Sequence, residues 1–318
     1  MDRQSIKIGV LVAGSDTEIA WAKKSARNVI NVLRLLGFNN ILLIKPEKTF
    51  ILLPKCDVIF ISVFGKPWQS GMAQSLCEYF NIPYTGSDIK SSFFAFNKHL
   101  AKKILEKHKI STPTWKYSNI NIVKWDNAIQ KMGNDIILKP VDEGLSKNVF
   151  LVKDKKKYYQ AYKKIMKENQ GVMIEKFIKG IEITVPVIRA KDVVVLPPIE
   201  IIKPEEIVNY IAMTKLKTKI YRPLFLDNKY INYIKNVSKE CFVKLNCRGI
   251  GYVDMIFESK KLKPYVLEVG TIAGYTKKSK VPFSASLMNI SLKELIELNI
   301  LIALDKNFKI KKYLKNAS

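Results

Sequence analysis

Between Lys7 and Phe80 short apolar runs alternate with amphipathic stretches, and this alternation narrows the fold more than any other feature of the chain. Lys7 to Val12 has the pattern of a buried strand and ends in the turn residues Ala13-Gly14-Ser15-Asp16. From Thr17 to Leu36 the apolar positions Trp21, Val29, Val32, Leu33 and Leu36 recur at helical spacing, and Gly37 stops the helix. Ile41 to Ile44 and Val58 to Val63 repeat the strand pattern. Gln69 to Phe80 is the next expected helix, and Ile82 to Gly86 is a connection rich in turn residues. Strands alternating with helices imply a parallel sheet covered by helices.

A second unit opens near Phe96 and Asn97. It runs through a helix to Lys107, a strand Asp135 to Lys139, a loop Val141 to Asn148, a strand Val149 to Val152, a helix Lys155 to Asn169 and a strand Val172 to Lys176. The last unit alternates strands (Glu182 to Ile188, Val193 to Pro197, Gly251 to Phe257, Pro264 to Val269) with a helix Asn228 to Leu245. It closes with a helix Ser291 to Leu304, where Ser291 and Glu294 have capping-box spacing. Three units are therefore expected, at 1–95, 96–180 and 181–318. The polar, basic segment Lys306 to Ser318 is expected to be a tail with a mobile end.

Bulk properties exclude several function classes. The 318 residues give room for two or three packed subdomains, and 47% hydrophobic with 26% charged residues is an ordinary globular balance. No run approaches the roughly 18 apolar residues of a membrane span, and the N-terminus lacks the pattern of a signal peptide, so a cytoplasmic protein with no membrane partner is expected. Cys56, Cys77, Cys241 and Cys247 show neither CxxC spacing nor a histidine partner, which favours buried thiols over disulfides or zinc. Lys plus Arg is 54 against 28 Asp plus Glu, a formal net charge of +26. The lysines are spread along the whole chain and arginine is scarce, so this charge is read as solvated surface, and nucleic acid is not an expected partner.

Four segments place charge at strand ends. Lys139 closes the apolar strand Ile136-Ile137-Leu138; an ammonium there either meets an anion such as a phosphate or snorkels to solvent. The loop Asp142-Glu143-Gly144-Leu145-Ser146-Lys147-Asn148 offers backbone N–H groups and a hydroxyl suited to phosphate oxygens, or is an ordinary hairpin loop. Glu175 and Glu182 flank the turn at Gly180, either as acceptors for a base and a ribose or as surface charge. Asp254 and Glu268 each lie inside an apolar strand, which suits Mg²⁺ or a structural ion pair.

In this order the segments resemble the ATP-grasp fold, and specifically the D-alanine–D-alanine ligase family. Asn81-Ile82-Pro83-Tyr84-Thr85-Gly86-Ser87 is similar to the family's GIPYTGS, Phe96-Asn97-Lys98 to its MDK, and Thr112-Pro113-Thr114-Trp115 to its TPxW. The segment Glu175 to Thr184, the Asn246-Cys247-Arg248-Gly249 run, Leu267-Glu268-Val269 and the block Thr271 to Pro282 match further motifs in register. The resemblance implies an α/β, three-subdomain ATP-grasp architecture, with an N-terminal parallel sheet and two α+β subdomains clasping ATP. It implies that Lys98 and Lys139 bind the phosphates, with Ser146 covering them and Glu143 also at the cofactor site, while Glu175 and the backbone of Lys176, Phe177 and Ile178 serve adenine. Glu182 would serve the ribose, and Asp254 and Glu268 would carry Mg²⁺. Tyr252, Gly274, Ser279 and Lys280, together with Ser146, would stand at the reacting groups. A γ-phosphate passed to a carboxylate would give an acylphosphate that an amine attacks. Small carboxylate and amine substrates, amino acids or short peptides, are the implied partners, with a homodimer by analogy.

Departures from the pattern bear on the substrates. The family's HGxxGEDG is Phe64-Gly65-Lys66-Pro67-Trp68-Gln69-Ser70-Gly71, and the acid that holds the first amino acid's ammonium aligns with Ala20, with Glu18 two residues away. The first serine of its EGSS is Leu145, and its lid tyrosine aligns near Thr214, with Tyr210 close by. The arginine before the metal-binding aspartate is Tyr252, the asparagine ligand is Gly270, and the Ser-Leu pair is Ser279-Lys280. Lys277, Lys278, Lys280 or Arg222 would have to supply the missing cation. The expected function is an ATP-dependent carboxylate–amine ligase acting on substrates other than two D-alanines. The alternatives are an authentic D-alanine–D-alanine ligase and a catalytically weak nucleotide-binding paralogue.

Overall fold

The structure, a computed structural model, describes the chain apart from residues 1–2, 17, 145–146, 169–170, 203–219 and 318. Strand β1 (Lys7–Gly14), helix α1 (Ile19–Leu35), strand β2 (Asn40–Ile44), the short α2 (Thr49–Leu52) and β3 (Val58–Phe64) form a parallel sheet of order β2-β1-β3. This is the arrangement the alternation implies. Gly37 ends α1 with φ +88°, and the Phe38 N–H closes the turn on the Leu33 carbonyl at 3.1 Å. The helix expected from Gln69 to Phe80 is interrupted. Residues Trp68–Met72 form a wide turn, because Gly71 sits at φ +118°, and only α3 (Ala73–Tyr79) is regular. Helix α4 (Ile89–Phe96) follows, capped by the Asp88 carboxylate, which accepts from the Ser91 N–H at 2.7 Å.

The middle of the chain builds an antiparallel sheet of order β4-β7-β5-β6 from β4 (Trp115–Ser118), β5 (Ile136–Pro140), β6 (Phe150–Val152) and β7 (Val172–Lys176). Helices α6 (Trp125–Met132) and α7 (Lys155–Glu168) cover it, α6 through buried Trp125, Ala128 and Met132 and α7 through Tyr158, Tyr162 and Ile165; α5 (Lys98–Lys107) precedes β4 and is capped by Asn97. The Tyr158 hydroxyl donates to the Val123 carbonyl at 2.9 Å, which explains how so large a polar ring is fully buried.

The last sheet has order β11-β10-β8-β12-β13, with β9 paired to β8. It comprises β8 (Ile181–Arg189), β9 (Val193–Val195), β10 (Ile199–Ile202), β11 (Ile220–Pro223), β12 (Gly249–Glu258) and β13 (Lys263–Gly270). Helix α8 (Asn228–Lys244) packs on it, and α9 (Lys280–Ser286), α10 (Leu292–Leu304) and α11 (Ile310–Ala317) end the chain. The tail is therefore helical rather than loose. Ile310 is fully buried, and the Asp192 carboxylate accepts the Ile310 and Lys311 N–H groups at 2.8 and 2.9 Å. The α10 residues Leu295, Leu298 and Ile302 share one core with Ile8 and Val10 of β1 and with Ile188 and Ile250 of the last sheet. One helix thus cements the two units.

Two of the motifs singled out in the sequence meet here. Gly86 (φ +97°) and Gly249 (φ +71°) lie back to back, so that a Cβ on Gly249 would fall 2.7 Å from the Gly86 Cα. Beside them the Ser87 hydroxyl donates to the Arg248 carbonyl at 3.0 Å and accepts the Arg248 N–H at 2.9 Å. No side chain larger than hydrogen fits at that crossing.

The capping box on α10 is complete: Ser291 Oγ accepts the Glu294 N–H at 3.2 Å, and Glu294 Oε2 accepts the Ser291 N–H at 2.6 Å. Ser291→Ala is expected to lower the unfolding free energy by about 1 kcal/mol in a denaturant titration, and an unchanged midpoint would contradict the cap's role.

Candidate active site

A lysine-lined wall comes from the middle sheet. Lys139 is the penultimate residue of β5, opposite Met173 of β7, and Glu175 lies two residues further along β7. Glu175 is buried between two ammonium groups, with Lys139 Nζ at 2.9 Å and Lys102 Nζ at 3.3 Å. Burial pushes the Glu175 carboxyl up, but Lys102 and Lys139 together hold it below the usual carboxylate range. The adenine contact expected of Glu175 calls for an open side chain, whereas here it is 2% exposed and steadies the two lysines. Lys98, at the start of α5, donates to the Glu143 carbonyl at 2.6 Å and lies 3.7 Å from Glu268 across the cleft. Burial lowers the Lys98 ammonium despite the attraction of Glu268, since Lys139 repels it. Such a cluster of desolvated cations is suited to a polyanion.

The facing wall is the last sheet. Asp254 on β12 is paired in register with Glu268 on β13, and Tyr252 with Gly270. Thr184 donates to Asp254 Oδ1 at 2.5 Å, and Lys280 Nζ lies 2.7 Å from Oδ2 and 3.4 Å from the centroid of the Tyr252 ring. Burial raises the Asp254 carboxyl, and Glu268 beside it adds to the rise against the pull of Lys280. Burial also pushes Glu268 up, but Lys98, Lys280 and Lys139 outweigh it and bring its carboxyl below the usual range. Asp254, paired to it, raises the Lys280 ammonium against the opposing effect of burial. Burial raises the Tyr221 hydroxyl on β11 against the opposing effect of Lys280, and Glu182 lies near the start of β8, opposite Ile256 of β12. Lys98, Lys139, Lys280, Asp254 and Glu268 thus face one another between two sheets.

A third side is supplied by loops. Glu18, just ahead of α1, is 6% exposed and accepts the Ser15 hydroxyl at 2.8 Å. Burial raises its carboxyl, and Glu143 opposite adds to that rise. Gly65 and Gly144 pack directly on the Glu18 carboxylate, leaving no space for a side chain at either position. A buried acid, Glu18, therefore lies two residues from Ala20, the position where the family pattern has its acid. In the sequence Glu18 is a weak substitute, two residues out of register; its burial is visible only in the structure. Glu143 receives Lys147 at 3.2 Å through Oε1, while its buried Oε2 has no hydrogen-bond partner among the described residues. Lys66, where the family pattern differs, donates to both oxygens of Asp142 at 3.1 Å and ties this loop to the N-terminal sheet.

Other expected residues are placed as follows. The Lys176 and Phe177 N–H groups are bound to the Thr114 and Asp135 carbonyls at 2.8 and 3.0 Å, so neither amide is available to a base. Ile178 follows them at the rim. Ser279 accepts the Thr276 N–H at 3.1 Å, and Gly274 closes on the Ser279 hydroxyl, which makes both residues turn-formers. Tyr275, between them, is anchored by hydrogen bonds from the Asn299 side chain to its hydroxyl at 2.8 Å and from its N–H to Ser25 Oγ at 3.1 Å. Ser146, Leu145, Tyr210 and Thr214 lie outside the described residues.

Comparisons agree with this geometry over nearly the whole chain. Residues 106–302 match the family model described as D-ala D-ala ligase C-terminus. A D-alanine–D-alanine ligase of Carboxydothermus hydrogenoformans is 30% identical over 313 residues, covering 94% of this chain and 99% of that protein. One from Clostridium botulinum is 32% identical over 294 residues, covering 92% and 96%. The crystal structure of D-alanine–D-alanine ligase from Bacillus anthracis complexed with ATP superposes with a TM-score of 0.82 at 26% identity, covering 99% of this chain and 100% of that one. D-alanyl-alanine synthetase A from Vibrio cholerae, at 19% identity and a TM-score of 0.84 over 96% of this chain and 99% of that one, shares the fold.

Burial lowers the Lys102 ammonium to about 8, against an ordinary value of about 10.4. Between those values the unfolded chain binds more protons than the folded one, so this group makes stability rise with pH. Lys102→Met removes the contribution. In urea titrations from about pH 8 to about pH 10 its unfolding free energy is expected to climb less steeply than the parent's, by up to about 1.4 kcal/mol per pH unit. Identical slopes would count against a desolvated Lys102.

Proposed function

The chain belongs to the D-alanine–D-alanine ligase family of ATP-grasp enzymes, which form carbon–nitrogen bonds, and from that premise we propose that it condenses two D-alanines using ATP. The observation that carries this reading is the buried Glu18 carboxylate facing Glu143. An ammonium arriving there meets two acids, one with an oxygen that has no hydrogen-bond partner among the described residues. The expectation of altered substrates rests on lost contacts, and two of these losses are compensated: Glu18 stands in for the acid sought at Ala20, and Lys280 brings a cation to Tyr252.

In this reading residues 1–95 supply Glu18, residues 96–180 the lysines, and residues 181–318 the acids. Lys98 and Lys139 neutralise the triphosphate, and Glu175 orients Lys139. Glu182 receives ribose hydroxyls, while the edge near Ile178 meets the adenine. Glu268, the more exposed of the two acids, presents hard carboxylate oxygens that fit Mg²⁺ completed by phosphate oxygens and waters, with Asp254 beside it adding negative charge. When bound, that ion neutralises phosphate charge. A carboxylate oxygen of the first amino acid attacks the γ-phosphorus and ADP leaves. The amine of the second then attacks the acyl carbon, and inorganic phosphate departs. The protein's part is positioning and charge.

A different second amino acid is the competing reading, favoured by one observation: Lys280 occupies the position of the family's leucine in the acceptor block. Purified protein with ATP, Mg²⁺ and D-alanine alone is expected to release ADP and yield the dipeptide by mass spectrometry. ADP release that requires a second, different amino acid would overturn the symmetric reading. Glu18→Gln is expected to raise KM for the first D-alanine about 10–100-fold, with KM for ATP within about twofold of the parent.

A further inference from the structure

Three positions at the phosphate end of the cleft differ from the family pattern, and they touch one another. Tyr252 and Gly270 face each other across β12 and β13, and a Cβ on Gly270 would overlap the Tyr252 ring. A tyrosine at 252 and an asparagine at 270 are therefore mutually exclusive in this backbone. Lys280 completes the group, with its ammonium 3.4 Å from the centre of that ring and 2.7 Å from Asp254 Oδ2. With Thr184 on Oδ1, both oxygens of Asp254 are held by protein donors. Glu268 is the more exposed acid, and its ion-pair partner is Lys98 at 3.7 Å. Among the described residues no set of three or more His, Cys, Asp or Glu side chains is arranged to share a metal.

The geometry points to Lys280 as a resident cation that replaces a second divalent ion, so that the chain takes one Mg²⁺ per nucleotide, held on the Glu268 side. This rests on the ligase reading above. Charge explains why one cation excludes the other. A Mg²⁺ bridging both acids through Asp254 Oδ2 has to share that oxygen with an ammonium fixed on an aromatic face, where repulsion between the two is little screened. Gly270 brings no side-chain oxygen to offset that repulsion, and Mg²⁺ demands a near-ideal octahedron. An ammonium is also present in every state of the site, whereas an ion must be loaded.

The test counts Mn²⁺, a paramagnetic substitute, by electron paramagnetic resonance in the presence of a non-hydrolysable β,γ-methylene ATP analogue. One Mn²⁺ per nucleotide-bound chain is expected; two would overturn the inference while leaving the ligase reading intact. Failure of the analogue to bind at all would instead remove both. The triple variant Tyr252→Arg, Gly270→Asn, Lys280→Leu is expected to bind two, and a folded triple variant that still binds one would overturn the attribution to these positions. Lys280→Met alone, checked for folding by circular dichroism, is expected to weaken analogue binding at least tenfold at saturating Mn²⁺; unchanged affinity would equally overturn the proposal.

Discussion

The cleft depends on a carboxylate that has no contact with water. Glu175 lies between the ammonium groups of Lys139 and Lys102 and answers both charges in a buried place. This pairing lets β5 end in a cation directed at the cleft instead of one that escapes to solvent. It also couples the inner strands of the middle sheet to α5, which carries both Lys98 and Lys102. Buried ion pairs of this kind contribute little net stability. Their effect is to hold charge where a ligand can use it.

The opposite wall follows the same logic with the signs reversed. Asp254 and Glu268 repel each other across neighbouring strands, and each is tolerated because a lysine from elsewhere in the chain answers it, Lys280 for one and Lys98 for the other. Lys98 crosses from one sheet to the other, so the two walls are electrostatically a single object. The loop that delivers Lys280 is held in place by Tyr275, whose ring meets Phe60 edge-on at 5.1 Å. The N-terminal sheet therefore positions a cation on the last sheet.

Much of the fold was legible in local pattern. Buried strands such as β1 and β3 announce themselves by unbroken apolar runs, and the Ser291–Glu294 spacing marked a helix start that the structure has. The break at Gly71 was not legible, since a positive φ leaves no trace in hydrophobic periodicity. Nor was α11: a basic, polar segment looks solvated until Asp192 is brought to its N-terminus. Within the site, charge type and order along the chain singled out Lys139, Asp254 and Glu268, which the structure brings together, whereas Glu18 stood out of register beside Ala20 and only its burial marks it. Several motif residues proved to be packing devices, Gly86 and Gly249 above all.

The order of elements and the chemical kinds of group at the strand ends are properties of the chain itself, because periodicity and residue type act over a few neighbouring positions. Which of Lys277, Lys278, Lys280 and Arg222 reaches Asp254, and whether Tyr252 can coexist with a side chain at 270, was decided only by the tertiary structure. Those outcomes depend on atoms brought within a few ångströms from distant parts of the sequence, where steric exclusion and unscreened charge select one arrangement among many that the same residues permit.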